Sequence, residues 1–183
     1  MIWILSISGA AVGIWIILIY NGIVQLHIRG ANAWADVDVQ LKRRYDLIPN
    51  LVTSVQGYAA HEKNVLIRVT QARARAVDAA SPKQKEAAEG ILAGELNALF
   101  AVAENYPQLR ASENFLSLQQ SLTEIEDALQ GARRYYNAVV RDYNTKLGVF
   151  PDQLIAKLGR FQPKEFFQLD STEEAKARKV SLP

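Results

Sequence analysis

Cysteine is absent from the 183-residue chain, which excludes disulfides, thiolate nucleophiles and thiolate metal sites. Histidine is scarce, with only His27 and His61. His61-Glu62 begins like the zinc-protease pattern H-E-x-x-H, but Val65 stands where the second histidine is needed. E-x-x-H pairs, which a di-iron helical bundle requires, are missing too. So are the glycine-rich phosphate loops and the G-x-S-x-G nucleophile elbow. The carboxylates Glu86, Glu89, Glu124, Glu126 and Asp127 read as solvated helix faces, and the pairs Arg73/Arg75 and Arg133/Arg134 as surface charges. No catalytic, cofactor-binding or metal site is expected, and the chain reads as a non-enzyme. With 21 basic against 19 acidic residues, the net charge of +2 is too small to point to nucleic acid.

Charge is also missing locally. From Met1 to Ile28 there is no Asp, Glu, Lys or Arg. A membrane-spanning helix needs about 20 apolar residues, and this stretch supplies them, with Trp3 and Tyr20 near its ends as interfacial aromatics. Residues 1–28 are therefore expected to form a transmembrane anchor. The A-x-A pattern Ala31-Asn32-Ala33 lies inside a continuing helical pattern, so the segment reads as retained and not as a cleaved signal peptide. Arg29, Lys42, Arg43 and Arg44 follow the anchor, with Arg29 adjacent to the membrane surface. The positive-inside rule then puts the N-terminus outside and the following domain in the cytoplasm. Gly9 and Gly13 form a G-x-x-x-G within the anchor, a surface on which spanning helices approach closely.

Beyond the anchor the apolar residues recur at helical spacing. Trp34, Val37, Leu41, Tyr45, Ile48, Val52, Val55 and Ala59 form one stripe, carried onward by Val65, Val69, Ala72 and Ala76. Ser81-Pro82 supplies an N-cap and a first-turn proline for a helix running to Tyr106. Ser112 starts another, in which Phe115, Leu118, Leu122, Ile125, Leu129, Ala132, Tyr136, Val139 and Tyr143 repeat by three and four. Gly148 and Pro151 end it, and Ser171 with Glu174 suggests one more short capped helix near the C-terminus. The expected fold is all-α: the anchor, then an antiparallel bundle of about four long helices over 29–150, then short helical segments and a tail over 151–183. Asn137 and Asn144 lie seven residues apart beside this seam, where buried amides can fix register or oligomeric state.

The stretch LKRRYDLIPNLV, residues 41–52, places a proline inside the first stripe. Asp46 can cap a new helix with Pro49 in its first turn, which favours a helix break here; the apolar stripe keeps its phase across Pro49, so a simple kink is the alternative, and the pattern does not set the angle.

The run AWADVDVQLKRRYDLIPNLVTSVQGYAAHE, with the later ARRYYNAVVRDYN, FP and FQPKEFF, resembles the signature of the LemA family over nearly the whole chain. Tyr45 departs from the pattern, standing where a small residue is expected. The resemblance implies a bacterial inner-membrane protein with one N-terminal spanning helix and a helical domain, and it implies no activity. The expected partners are the lipid bilayer, further copies of the chain and another membrane protein; no small-molecule substrate is indicated. Two roles follow. One is a self-associating scaffold. The other is an adaptor or regulator of another membrane protein, such as a membrane protease or an envelope-stress component.

Overall fold

The computed structural model describes residues 2–168, whose regular structure is six helices. Four are long: α1 (Ile2–Tyr58), α2 (Lys63–Asp78), α3 (Pro82–Glu104) and α5 (Glu113–Gly148). Two are short: α4 (Pro107–Arg110) and α6 (Asp152–Leu158). No strand occurs among the described residues, so the chain is all-α as its periodicity predicts. Ser81 caps α3 as expected. Its hydroxyl accepts from the Gln84 N–H, the Gln84 side chain accepts from the Ser81 N–H, and Pro82 follows at the first helical position. The second capping pair, Ser171 and Glu174, lies outside the described residues.

The chain divides into two compact units. Among the described residues, the first comprises 2–37 and Ala132–Phe166, the second Asp38–Gly131 with Phe167 and Gln168. In the first unit Ile19 and Ile23 of α1 pack with Tyr143 and Leu147 of α5 and Ala156 of α6, flanked by Leu26, Ile155 and Phe161. Gly22 and Gly30 let lysine stems lie close to α1. A Cβ at Gly22 would stand 3.0 Å from Cε of Lys146, and one at Gly30 would stand 3.2 Å from Cδ of Lys164. The second unit buries Leu41, Ile48, Leu51 and Val55 of α1, Val69, Ala72 and Ala76 of α2, Leu92, Leu96 and Leu99 of α3, and Ile125 and Leu129 of α5. The stripes read from the sequence are thus the faces that become buried.

The break expected at Asp46 and Pro49 does not occur. Pro49 lies inside α1, and Asp46 is an exposed residue of the same continuous helix. A proline in a helix interior removes one N–H donor, here from the carbonyl of Tyr45 four residues earlier. That carbonyl is not left bare. Nε of Arg73, on α2, donates to it at 2.7 Å. Arg73 is therefore half-buried and structural, not the surface charge its spacing suggests. The chain leaves α1 instead at Ala59–Glu62, where the Ala59 N–H bonds to Val55 O and the Glu62 N–H to Ala59 O. Gly57 is a poor helix former and sits just before this turn. Ala59 stays buried, so the apolar stripe runs through the turn and conceals it.

The two substitutions Arg73→Met and Pro49→Ala should therefore be strongly coupled. Arg73→Met leaves a buried carbonyl unpaired and should cost about 1–3 kcal/mol. In a Pro49→Ala background the helix supplies its own donor, and the same substitution should cost well under half as much. Urea denaturation of the four proteins in detergent, followed by circular dichroism, measures the cycle; additive losses would refute the account.

Candidate functional site

Three features present themselves, each within one unit. The first is the N-terminal part of α1, the one helix among the described residues that is long and apolar enough to cross a membrane. Ile7, Val12, Ile14, Trp15, Ile17 and Leu18 are exposed around it, and Trp3 is 83% exposed. Nothing lies within 4 Å of a Cβ built at Gly9 or Gly13, so that face of the helix is open. Packing begins at Ile19 and Ile23, and Arg29, the first charge, is exposed.

The second feature is a buried polar cluster in the second unit. Glu89 on α3 is 0% exposed. Its Oε1 accepts from the Tyr45 hydroxyl at 2.6 Å and its Oε2 from Arg44 at 3.0 Å. Arg44 also pairs with Glu126 at 3.1 Å, and Lys85 with Asp38 at 3.5 Å. The Lys85 ammonium lies 5.8 Å from the centre of the Tyr45 ring. Burial pushes the Glu89 carboxyl above the usual carboxylate value, against the pull of Arg44 and the Tyr45 hydroxyl. Burial first, then the charge of Glu89, raises the Tyr45 phenol and keeps it a neutral donor. The sequence reading treated Glu89 as solvated and Arg44 as a basic residue of the membrane flank. The signal for both was their phase. Lys85 and Glu89 continue the series Leu92, Leu96, Leu99, Ala103 by steps of three and four, and Arg44 falls three residues after Leu41. Tyr45 is a central member of the cluster. Asp46, by contrast, borders a surface depression of about 530 Å³ with Arg43, Leu47, Ser121, Glu124 and Ile125.

The third feature joins two sequence motifs within the first unit. Residues 161–166, from the FQPKEFF stretch, are not helical, so their backbone groups need other partners. Side chains of the ARRYYNAVVRDYN stretch supply them. The Tyr136 hydroxyl donates to Glu165 O at 2.8 Å and the Tyr143 hydroxyl to Gln162 O at 3.1 Å. The Asn144 amide donates to Lys164 O and accepts from the Lys164 N–H, both at 2.9 Å. Asn144 was expected to fix register at a seam; its amide is instead committed to this backbone clamp. Asn137 is half-buried on the same helix. Trp34 packs on Tyr136 with ring centres 5.2 Å apart.

These motifs carry the assignment. The LemA family model matches residues 33–182. The chain belongs to the LemA family. It is 28% identical over 149 residues to Protein LemA of Metamycoplasma hominis, covering 76% of this chain and 67% of that one. It is 25% identical over 175 residues to Magnetosome protein MamQ 2 of Paramagnetospirillum magneticum, and 22% over 174 to Magnetosome protein MamQ of Magnetospirillum gryphiswaldense. In each of those two alignments 81% of this chain is covered, but only 64% of the relative's length. The family match begins after the charge-free segment Met1–Ile28.

In this LemA-family chain the Arg44–Glu89 pair should be costly to break from one side. Glu89→Leu leaves the buried guanidinium of Arg44 with Glu126 alone and should lose about 1–3 kcal/mol, whereas Arg44→Met with Glu89→Leu should recover most of the loss. A pH dependence follows as well. Below the ordinary carboxylate range both folded and unfolded states hold the proton. As pH rises through the raised folded value, the contribution of Glu89 to stability is lost. Thermal midpoints taken across pH 4–8 should show wild type losing ground to Glu89→Gln as pH rises, and parallel curves would contradict this.

Proposed function

We propose that the chain is a single-pass, membrane-anchored LemA-type protein that works without catalysis, as a scaffold that self-associates in the bacterial inner membrane. Its N-terminus faces outward and its helical units face the cytoplasm. The observation that carries this reading is the uncovered apolar stretch of α1, which runs without interruption into the helix that holds the folded residues. Exposed isoleucine, leucine and tryptophan on every side of a helix are unfavourable in water and favourable in lipid. The placement of Arg29, Lys42 and Arg43 after the span supports the orientation.

The scaffold reading draws support from how the polar side chains are used. Among the described residues, every buried side-chain nitrogen or oxygen has a hydrogen-bond partner. Such groups hold helix to helix, as Arg44, Tyr45 and the half-buried Arg73 do, which is a structural use. Self-association draws on Gly9 and Gly13, whose open face would let two α1 helices approach closely within the bilayer.

Native mass measurement of the full-length protein in detergent should find a discrete oligomer. Gly9→Leu with Gly13→Leu should weaken it about tenfold, roughly 1.4 kcal/mol, while leaving the circular dichroism unchanged. A wild-type monomer overturns self-association and favours the adaptor reading, in which the chain serves a membrane protease or an envelope-stress component.

A further inference from the structure

The α5–α6 corner of the first unit carries an exposed apolar set that its own packing does not explain. Phe150 is 80% exposed, Leu154 52% and Leu158 82%, with Val149 beside them. Leu154 and Leu158 are four residues apart on α6 and share a face. The opposite side of α6 is occupied, since Ala156 is buried against Ile19 and Ile23, with Ile155 packed alongside. Lys157 and Arg160 are exposed next to this face, whereas Asp152, the acid of α6, is taken up by Lys146 at 2.8 Å. Arg160 adopts φ 56°, a left-handed conformation that glycine favours, although a glycine stands one position earlier. That glycine is needed where it is: a Cβ at Gly159 would come within 2.6 Å of the Phe161 ring.

The level of this corner along α1 identifies what covers it. Ile19 and Ile23 belong to the charge-free run that ends at Ile28, so α6 packs beside α1 before its first charge. From Ile19 to Arg29 the helix rises roughly 15 Å, about twice the depth of one interfacial layer, so the interval reaches from the hydrocarbon edge through the headgroups. In that interval α1 exposes the polar Asn21, Gln25 and His27 together with Tyr20 and Ile28, a mixed surface, whereas before it the exposed residues are almost wholly apolar. Tyr20 marks the change and packs at a tilt on Phe161, with ring centres 5.7 Å apart. This is the composition of a headgroup region, with the acyl boundary near Tyr20.

We propose that the α5–α6 corner is a second membrane contact, in which Phe150, Leu154 and Leu158 insert at the acyl–headgroup boundary of the bilayer that α1 crosses, and Lys157 and Arg160 meet lipid phosphates. The proposal rests on the membrane-anchor reading of α1. Its occupant is lipid, by continuity with the apolar surface of α1 and by the unpaired basic charge at its rim. The α6 contact fixes how the first unit meets the membrane surface, a role that a bare single-span tether would not fill.

The absence of cysteine makes the test direct. Three full-length variants, each with one cysteine (Ile16→Cys, Leu158→Cys and Ser81→Cys), are labelled with an environment-sensitive fluorophore. Each is reconstituted in vesicles of phosphatidylcholine and phosphatidylglycerol, with and without bromine-labelled acyl chains. The expected result is strong bromolipid quenching at positions 16 and 158, several-fold above that at 81. Quenching at 16 but not at 158 overturns the proposal and leaves the anchor intact. A blue-shifted but unquenched probe at 158 also overturns it, because the corner is then covered by protein. Absence of quenching at 16 removes the anchor, and the proposal falls with it.

Discussion

The carbonyl of Tyr45 loses its helical donor to Pro49, and the guanidinium of Arg73 replaces that donor from the neighbouring helix. Much of the second unit depends on this substitution of one hydrogen bond for another. With the carbonyl satisfied, α1 keeps its phase across the proline. Leu41, Arg44, Tyr45, Ile48 and Leu51 then remain on one buried face. The same contact ties α2 to α1 at a fixed height, which the Tyr45 hydroxyl reinforces by reaching Ala76 O as well as Glu89. A proline usually ends a helix because the freed carbonyl and the ring clash have no remedy. Here the carbonyl has one, and it lies elsewhere in the sequence.

That explains which parts of the fold were legible beforehand. Local rules predicted local structure well. The capped start of α3 needs only Ser81, Pro82 and Gln84, and the buried face of α5 follows from a repeat of three and four residues. Pro49 misled because its outcome depends on Arg73, a long-range partner that no window around the proline contains. The turn after Tyr58 went unseen for the opposite reason, since the apolar stripe continues across it through the buried Ala59. Arg44 and Glu89 read as surface residues from their charge alone, since charged side chains are ordinarily exposed. Their positions in the helical repeat carried the better information: a charge that falls on a buried stripe calls for a partner on the facing stripe.

The match between the two family motifs in the first unit shows a further limit of sequence pattern. Tyr136, Tyr143 and Asn144 bind backbone atoms of Gln162, Lys164 and Glu165. Backbone acceptors are the same at every residue, so nothing in the FQPKEFF stretch announces them. What does show is the need. A non-helical segment containing Pro163 makes none of the repeating bonds of a helix, and tyrosine and asparagine are side chains that can reach and satisfy such a segment without adding charge. Burial holds the phenols of Tyr136 and Tyr143 above their ordinary values, so both remain donors. The Asn144 amide, a candidate for fixing register or oligomeric state, bonds the Lys164 backbone within its own chain.

The distribution of apolar surface completes the physical account. Many exposed hydrophobic residues of the second unit, such as Val39, Ile67, Ile91 and Leu116, occur one at a time, as on ordinary protein surfaces. In the first unit most fall into two groups, around α1 before Ile19 and at Phe150, Leu154 and Leu158, with Ile28, Tyr135 and Phe166 apart from them. A chain that pairs each of its described buried polar side-chain atoms is well adapted to water where water is present. Its grouped apolar residues therefore point to a change of solvent, and not to poor packing. Both groups flank the same packed residues, Ile19 and Ile23 with Ala156, and one apolar medium beside that cluster would cover the two together.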